Sequence, residues 1–189
     1  MSIYHVFYNG KANNGKGLEE ADELKSLLPG DEFVFSDVTA DTYENLFKKA
    51  GDGTVILCGG DGTINRFVNA TKDIGYKNEI LYFATGSGND FLKDTGKKKG
   101  ELVALNKYIE KLPEVTVGGK TYKFLNNVGF GIDGYCCEVG DKLRATSDKP
   151  IDYTGIAIKG LLFHYKPVNA TVTVDGVTTE YKKVWLAPT

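Results

Sequence analysis

The sequence is poor in cysteine and proline and nearly neutral. Three cysteines stand among 189 residues, and two of them, Cys136 and Cys137, are adjacent rather than spaced as C-x-x-C. That pattern supports neither a zinc site nor a disulfide framework, and a reducing, cytoplasmic compartment is the natural reading. Five prolines are too few for a Pro-rich linker. Lys and Arg number 23 against 25 Asp and Glu, for a formal net charge of −2. No global field therefore draws the chain to nucleic acid or anionic lipid. The one basic run, Lys97 to Lys99 with Lys93 before it, reads as a solvated loop. The longest apolar runs, Val55 to Cys58 and Ile80 to Ala84, fall far short of the roughly 18 residues that span a bilayer. Met1 to Val6 lacks a signal-peptide pattern and reads as a first strand.

Familiar nucleotide and hydrolase motifs are also missing. Gly119-Lys120-Thr121 matches the end of a P-loop, but the position that needs its first glycine is Glu114. No G-x-G-x-x-G follows the first strand, and no G-x-S-x-G elbow is present. His5 and His164 lie in apolar segments and read as structural.

What the chain has in excess is glycine: 23 residues, about 12%, where about 7% is usual. The first two-thirds alternates strand and helix signals. Strands are expected at Ile3–Asn9, Glu32–Val38, Thr54–Cys58 and Glu79–Thr85, and helices at Gly17–Leu28, Thr42–Ala50, Ile64–Ile74 and Gly100–Leu112. Leu18, Ala21, Leu24 and Leu28 would share one face of the first helix, and Leu102, Leu105, Ile109 and Leu112 one face of the last. This alternation predicts an α/β fold, a parallel sheet covered by helices. Beyond Pro113 the pattern turns to antiparallel β. Val115–Tyr122 reads as a hairpin about Gly118-Gly119, and Asn169–Leu186 as another about Asp175-Gly176. Phe124–Phe130 reads as a strand and Ile151–Tyr165 as a helix.

The glycines cluster after predicted strands. Asn9 to Gly17 follows the first, Gly59-Gly60-Asp61-Gly62-Thr63 the third, and Gly86-Ser87-Gly88-Asn89-Asp90 the fourth. In an open parallel sheet, ligands bind beyond the carboxyl ends of the strands. Loops there that lead into helices present free amides and a positive dipole end, which suits phosphate. Asp61 and Asp90 fit a metal-bound nucleotide better than a bare anion, because Mg²⁺ bridges carboxylate and phosphate. Asp61 could instead take a proton from an attacking hydroxyl. The spacing leaves both roles open, beside a helix-capping role for either residue.

Gly59-Gly60-Asp61-Gly62-Thr63-Ile64-Asn65 resembles the G-G-D-G-T-x-N signature of the diacylglycerol kinase catalytic-domain family, which includes bacterial lipid kinases, sphingosine kinases and ceramide kinases. Gly86-Ser87-Gly88-Asn89-Asp90-Phe91 resembles its G-T-G-N-D-F signature, and Asn9-Gly10-Lys11-Ala12 its first nucleotide loop. Phe124 to Asp133 and Tyr153 to Pro167 resemble the entry to its second domain. G-G-D-G-T alone is shared with NAD kinases, and the second signature favours the lipid-kinase branch.

The resemblance implies a three-layer α/β domain of the NAD kinase/diacylglycerol kinase type over residues 1–112, then the start of a β-rich second domain over 113–189, truncated within it. It implies ATP and Mg²⁺ as cofactors. It also implies nucleotide contacts at Asn9, Gly10, Lys11, Ala12, Asn13, Thr39, Gly59, Gly60, Gly62, Thr63, Ile64, Asn65, Gly86, Ser87, Gly88, Asn89 and Asp90. Asp61 would be the catalytic acidic residue near the γ-phosphate and Asp133 a lipid head-group contact; no metal ligand is assigned. The implied activity is ATP-dependent phosphorylation of diacylglycerol or a related lipid, in a cytoplasmic protein that meets its acceptor at the membrane surface. Phosphorylation of a ribose hydroxyl and non-catalytic nucleotide binding are the alternatives, and self-association into a homo-oligomer is left open. Two departures stand out: Gly10 replaces the family proline, and Arg66 replaces the glutamate that usually follows G-G-D-G-T-x-N.

Overall fold

The computed structural model describes residues 1–85, 89–147 and 151–188. It divides into two compact units, Met1–Asn126 and Asn127–Thr189.

The first unit is built on a five-stranded sheet in the order β2-β1-β3-β4-β5. Strands β1 (Ile3–Tyr8), β2 (Glu32–Asp37), β3 (Thr54–Gly59) and β4 (Ile80–Ala84) are parallel. The edge strand β5 (Leu102–Ala104) runs antiparallel to β4. Alternation along the strands sends side chains to opposite faces. Phe7, Val55, Leu57, Ile80 and Tyr82 pack against α3 (Tyr43–Ala50), α4 (Asp61–Thr71) and α5 (Asp90–Asp94). Val6, Ile56, Cys58 and Phe83 pack against Ala21 of α1 (Gly17–Asp22) and Leu24 of α2 (Leu24–Leu27). The sheet is therefore covered on both faces, which is why β3 is apolar along its length.

Several boundaries differ from the sequence reading. The helix expected over Gly17–Leu28 is split at Glu23, and Leu18 is exposed rather than on the buried face. Helix α4 begins at Asp61, three residues before Ile64. The larger correction is at Gly100–Leu112, where the expected helix gives way to the short strand β5 and a single helical turn. Leu102, Val103 and Ala104 pair with Phe83, Tyr82 and Leu81, and only Asn106–Ile109 (α6) is helical. The Asn106 side chain fixes this arrangement. Its Oδ1 accepts from the Ile80 amide at 2.7 Å and its Nδ2 donates to the Asn78 carbonyl at 3.1 Å. Backbone groups on the free edge of β4 need partners, and satisfying them outweighs a weak local helical period.

The glycine-glycine hairpin forms as expected, from β6 (Glu114–Val117) and β7 (Lys120–Lys123), with positive φ at Gly118 and Gly119. It belongs to the first unit, which reaches Asn126 instead of ending at Leu112. The cause is Asn69 on α4. Its Nδ2 donates to the Lys123 carbonyl at 2.8 Å, and its Oδ1 accepts from the Lys123 amide at 2.9 Å.

In the second unit, the strand expected over Phe124–Phe130 shrinks to β8 (Gly129–Gly131). A 15-residue helix that the sequence reading lacked, α7 (Ile132–Thr146), follows directly. Helix α8 (Tyr153–Lys159) continues into a wide turn, Gly160–His164, closed by a Tyr165 amide bond to the Gly160 carbonyl at 2.8 Å. The second hairpin comprises β9 (Val168–Val174) and β10 (Val177–Val184), about Asp175-Gly176. It ends before Leu186, because β11 (Leu186–Pro188) leaves to pair with β8.

Replacing Asn69 with alanine removes both bonds to Lys123 and leaves a part-buried amide and carbonyl unpaired. A loss of about 1–3 kcal/mol is expected, together with faster hydrogen exchange at the Lys123 amide. Unchanged exchange at that amide would show that the hairpin is held by other contacts.

Candidate nucleotide-binding site

Loops after β1, β2, β3 and β4 all leave the carboxyl edge of the same sheet. Each is held by a side chain from another loop or strand.

The first link joins the β1 and β2 loops. Asp37 Oδ1, at the end of β2, accepts from the Thr39 amide at 2.8 Å and the Gly10 amide at 3.1 Å. Burial alone would raise the Asp37 pKa. The two amides, the Thr39 hydroxyl and the nearby Lys11 charge outweigh it and hold the carboxyl below its ordinary value of 3.8. A β-carbon on Gly10 would collide with the Asp37 carboxylate, so residue 10 must be bare for the two loops to meet. This is the local reason for glycine where the resembling family has proline. The Asn9 side chain turns the same loop, accepting from the Lys11 amide at 3.0 Å, and Ala12 donates to the Asn9 carbonyl at 2.9 Å.

The second link joins the β3 and β4 loops. Asp61 Oδ2 accepts from the Asp90 amide at 2.8 Å, and Oδ1 from the Phe91 amide at 3.0 Å. These are orphan donors at the start of α5, so Asp61 caps that helix from a different segment. The N-cap residue of α5, Asn89, supplies no side-chain cap. Its Oδ1 lies 3.2 Å from the Tyr82 hydroxyl, which also donates to the Gly59 carbonyl at 2.9 Å. Tyr82 is fully buried beneath both loops, and burial, with the charges of Asp61 and Cys58, pushes its phenol pKa well up. It therefore stays a donor.

The consequence appears at α4. Its N-cap is Gly60, and no side chain caps it among the described residues. The Thr63 and Ile64 amides turn back to the Gly60 carbonyl at 2.9 and 3.3 Å. Because Asp61 is turned toward α5, the positive end of α4 carries no cap of its own. Gly59 lets the helix approach the strand, since a β-carbon there would collide with Thr63.

The expected residues divide accordingly. Asn9, Gly10, Lys11, Ala12, Thr39, Gly59, Gly60, Asp61, Gly62, Thr63, Asn89 and Asp90 lie on the loops and helix starts at this sheet edge, and the Asn13 backbone lies in the turn Ala12–Gly15. Asn65 is exposed on α4. The Ile64 side chain is fully buried in the core, so its backbone is the part that stands at this edge. Gly86, Ser87 and Gly88 lie outside the described residues. Asp133 is exposed in the first turn of α7, in the second unit. Asp90 pairs with Lys93 at 2.7 Å. Arg66 is exposed on α4 near Tyr43, whose hydroxyl is buried without a hydrogen-bond partner among the described residues. Burial pushes that phenol up to about 12, with Arg66 opposing. The sequence reading missed Asp37 and Tyr82. An aspartate closing a strand before Val-Thr was a readable signal for Asp37; Tyr82 looked like any core aromatic.

Residues 4–118 match the family described as diacylglycerol kinase catalytic domain. The chain is 25% identical over 152 residues to the Bacillus subtilis (strain 168) protein named "Putative lipid kinase YtlR", covering 70% of this chain and 48% of that one. Among solved structures, "A putative diacylglycerol kinase from Bacillus anthracis str. Sterne" aligns with a TM-score of 0.56 at 20% identity, over 99% of this chain and 65% of that one. A further diacylglycerol kinase structure from the same organism aligns with a TM-score of 0.51 at 18% identity, over 99% and 63%. The present chain thus spans about half the length of the curated relative and under two-thirds of these structures.

Two predictions follow from the links. Asp61→Asn places an amide group against two N–H donors, so one of them loses its acceptor. About 1–3 kcal/mol should be lost, with the Asp90 and Phe91 amides exchanging faster; unchanged exchange would refute the cap. The second concerns acid. The folded pKa of Asp37 is depressed, so its contribution is complete above the unfolded value and is lost as pH falls below 3.8 through the folded value. Asp37→Asn should remove that part of the acid-induced loss, read from melting temperatures across pH 2–6 (about that span covers the titration). An identical pH profile in the variant would exclude it.

Proposed function

Because the chain belongs to the diacylglycerol kinase catalytic-domain family, we propose that it carries the nucleotide-binding part of an ATP-dependent lipid kinase. The acceptor is the hydroxyl of diacylglycerol or a related lipid. The observation that carries this reading is the start of α4 within G-G-D-G-T, uncapped among the described residues, at the sheet edge where the loops after β1, β2 and β4 gather.

The residues fit a magnesium-bound nucleotide. A β-carbon on Gly62 would meet nothing within 4 Å, so space is open at the helix start. Each Asp61 oxygen accepts one amide and keeps acceptor capacity. Asp61 and Asp90 would hold the ion, which when bound offsets the charge between phosphate and carboxylate. The loop amides and the α4 dipole supply charge stabilisation at the transferring phosphoryl group. Asn9, Lys11 and Thr39 line the adjoining loops, held in place by Asp37. The first unit is assigned to the nucleotide and the second, with Asp133, to the lipid head group.

The test uses the full protein with radiolabelled ATP and Mg²⁺, offering diacylglycerol in mixed micelles and, separately, NAD. Label should enter the lipid and not NAD, and Asp61→Ala should lower transfer at least about 100-fold, the scale of one lost charge-stabilising group. Label in NAD alone would favour the ribose-phosphorylating alternative. ATP binding without transfer to either acceptor would overturn the catalytic reading.

A further inference from the structure

The amino edge of the sheet, away from the candidate nucleotide loops, carries a cleft of 520 Å³ in the first unit. Helix α4 starts beyond the carboxyl end of β3 and runs back along the sheet, so Val68 and Lys72 at its far end reach this edge. Asn106 of α6 bonds to the first amide of β4, which brings α6 to the same place. Ile74 and Tyr76, between α4 and β4, and Lys123 of β7 complete the walls. The volume lies within the roughly 300–1,000 Å³ of small-molecule sites.

These walls are bonded to their supports. Asn69 of α4 holds Lys123 through both its amide and its carbonyl, at 2.9 and 2.8 Å. Asn106 ties α6 to Ile80 and Asn78, at 2.7 and 3.1 Å. The Tyr76 ring stacks on Phe47 of α3, with centroids 4.5 Å apart and planes within 3° of parallel. The Ile74 amide donates to the Thr71 carbonyl at 2.9 Å. A cleft assembled before its ligand arrives spends little free energy on ordering its walls.

The lining has two chemical parts. Val68 is buried, and Ile74 and Ile109 are half-buried against the core. Lys72, Lys107 and Lys123 bring three cations against one carboxylate, Glu110. None of the three lysines makes an ion pair among the described residues, and Lys107 lies over the Tyr108 ring at 4.7 Å. The carbonyl end of α4 opposes them by about half a charge, so a surplus of more than one positive charge remains. Concave, partly apolar walls focus that field. A bare inorganic ion would leave the apolar wall and most of the volume unused. A neutral molecule would leave the lysines unused.

We propose that this cleft binds a small organic anion, its carboxylate or phosphate head among Lys72, Lys107 and Lys123 and its apolar body on Val68, Ile74 and Ile109. The ligand is a molecule other than the nucleotide and its acceptor. The site lies at the opposite edge of the sheet and does not depend on the kinase reading.

The test titrates the full protein with phenyl phosphate, benzoate and, as a neutral match, benzamide, followed by two-dimensional NMR. One or both anions should shift the Thr71, Lys72 and Lys123 amides saturably, benzamide should not, and added salt should weaken the effect. The tighter of the two anions identifies the head group. Lys72→Gln with Lys123→Gln should raise the dissociation constant at least about tenfold, the scale of lost hydrogen bonds to charged groups. Glu110→Gln should lower it about two- to fivefold, a gain that misfolding cannot imitate. Equal binding of benzamide, an unchanged constant in the double lysine variant, or weaker binding by Glu110→Gln would overturn the proposal. So would the absence of any saturable shift, or shifts confined to the Gly60–Ile64 amides, which would put the anion at the nucleotide edge.

Discussion

The Asp61 carboxylate organises the carboxyl edge of the parallel sheet. It belongs to the first turn of α4, yet it spends both oxygens on the first amides of α5. Two results follow from one interaction. The loops after β3 and β4 are fixed to each other, and no side chain among the described residues caps the start of α4. An acidic residue in a first helical turn usually stabilises its own helix. Here its oxygens also accept the first amides of the neighbouring helix, so one carboxylate serves two helix starts. Tyr82 reinforces the arrangement from below, with one hydroxyl proton facing the Gly59 carbonyl and the Asn89 side chain. Asp37 performs the corresponding task between the β1 and β2 loops.

The parallel sheet was legible because its signals were local and repeated. Apolar runs such as Val55 to Cys58, helix faces such as Ala21 with Leu24, and glycine clusters after strands all pointed the same way. The same glycines located the candidate site. What escaped depended on distant partners. Leu102 to Ala104 carries a helical spacing, but the open edge of β4 and the reach of Asn106 decide its conformation. The attachment of the hairpin to the first unit was hidden because it comes from distant partners, Asn69 bonding to Lys123 more than 50 residues away and Leu125 packing on the core.

Helix α7 was obscured for a related reason. Gly134 and Gly140 lower its intrinsic helix propensity, and its apolar positions do not form a clear stripe. Yet Gly140 is the seat for the Tyr153 ring, and Gly160 returns the arrangement for Tyr135. The residue that weakens the local signal is the one that lets the helix pack. Propensity and packing conflict at that position, and the close approach of the Tyr153 ring leaves no room there for a β-carbon. Arg66 stands outside these accounts: the structure places it on the exposed face of α4 near Tyr43, and no contact explains the charge reversal.

The glycines of the nucleotide edge also differ in what they can tell a reader of motifs. Gly10 and Gly59 are required by the protein itself, one to admit the Asp37 carboxylate and the other to admit Thr63. Gly62 has no described residue within 4 Å of where a β-carbon would stand, so among the described residues nothing forbids a side chain there. Of the letters in G-G-D-G-T, it is the fourth whose replacement would distinguish a lost ligand from a lost fold.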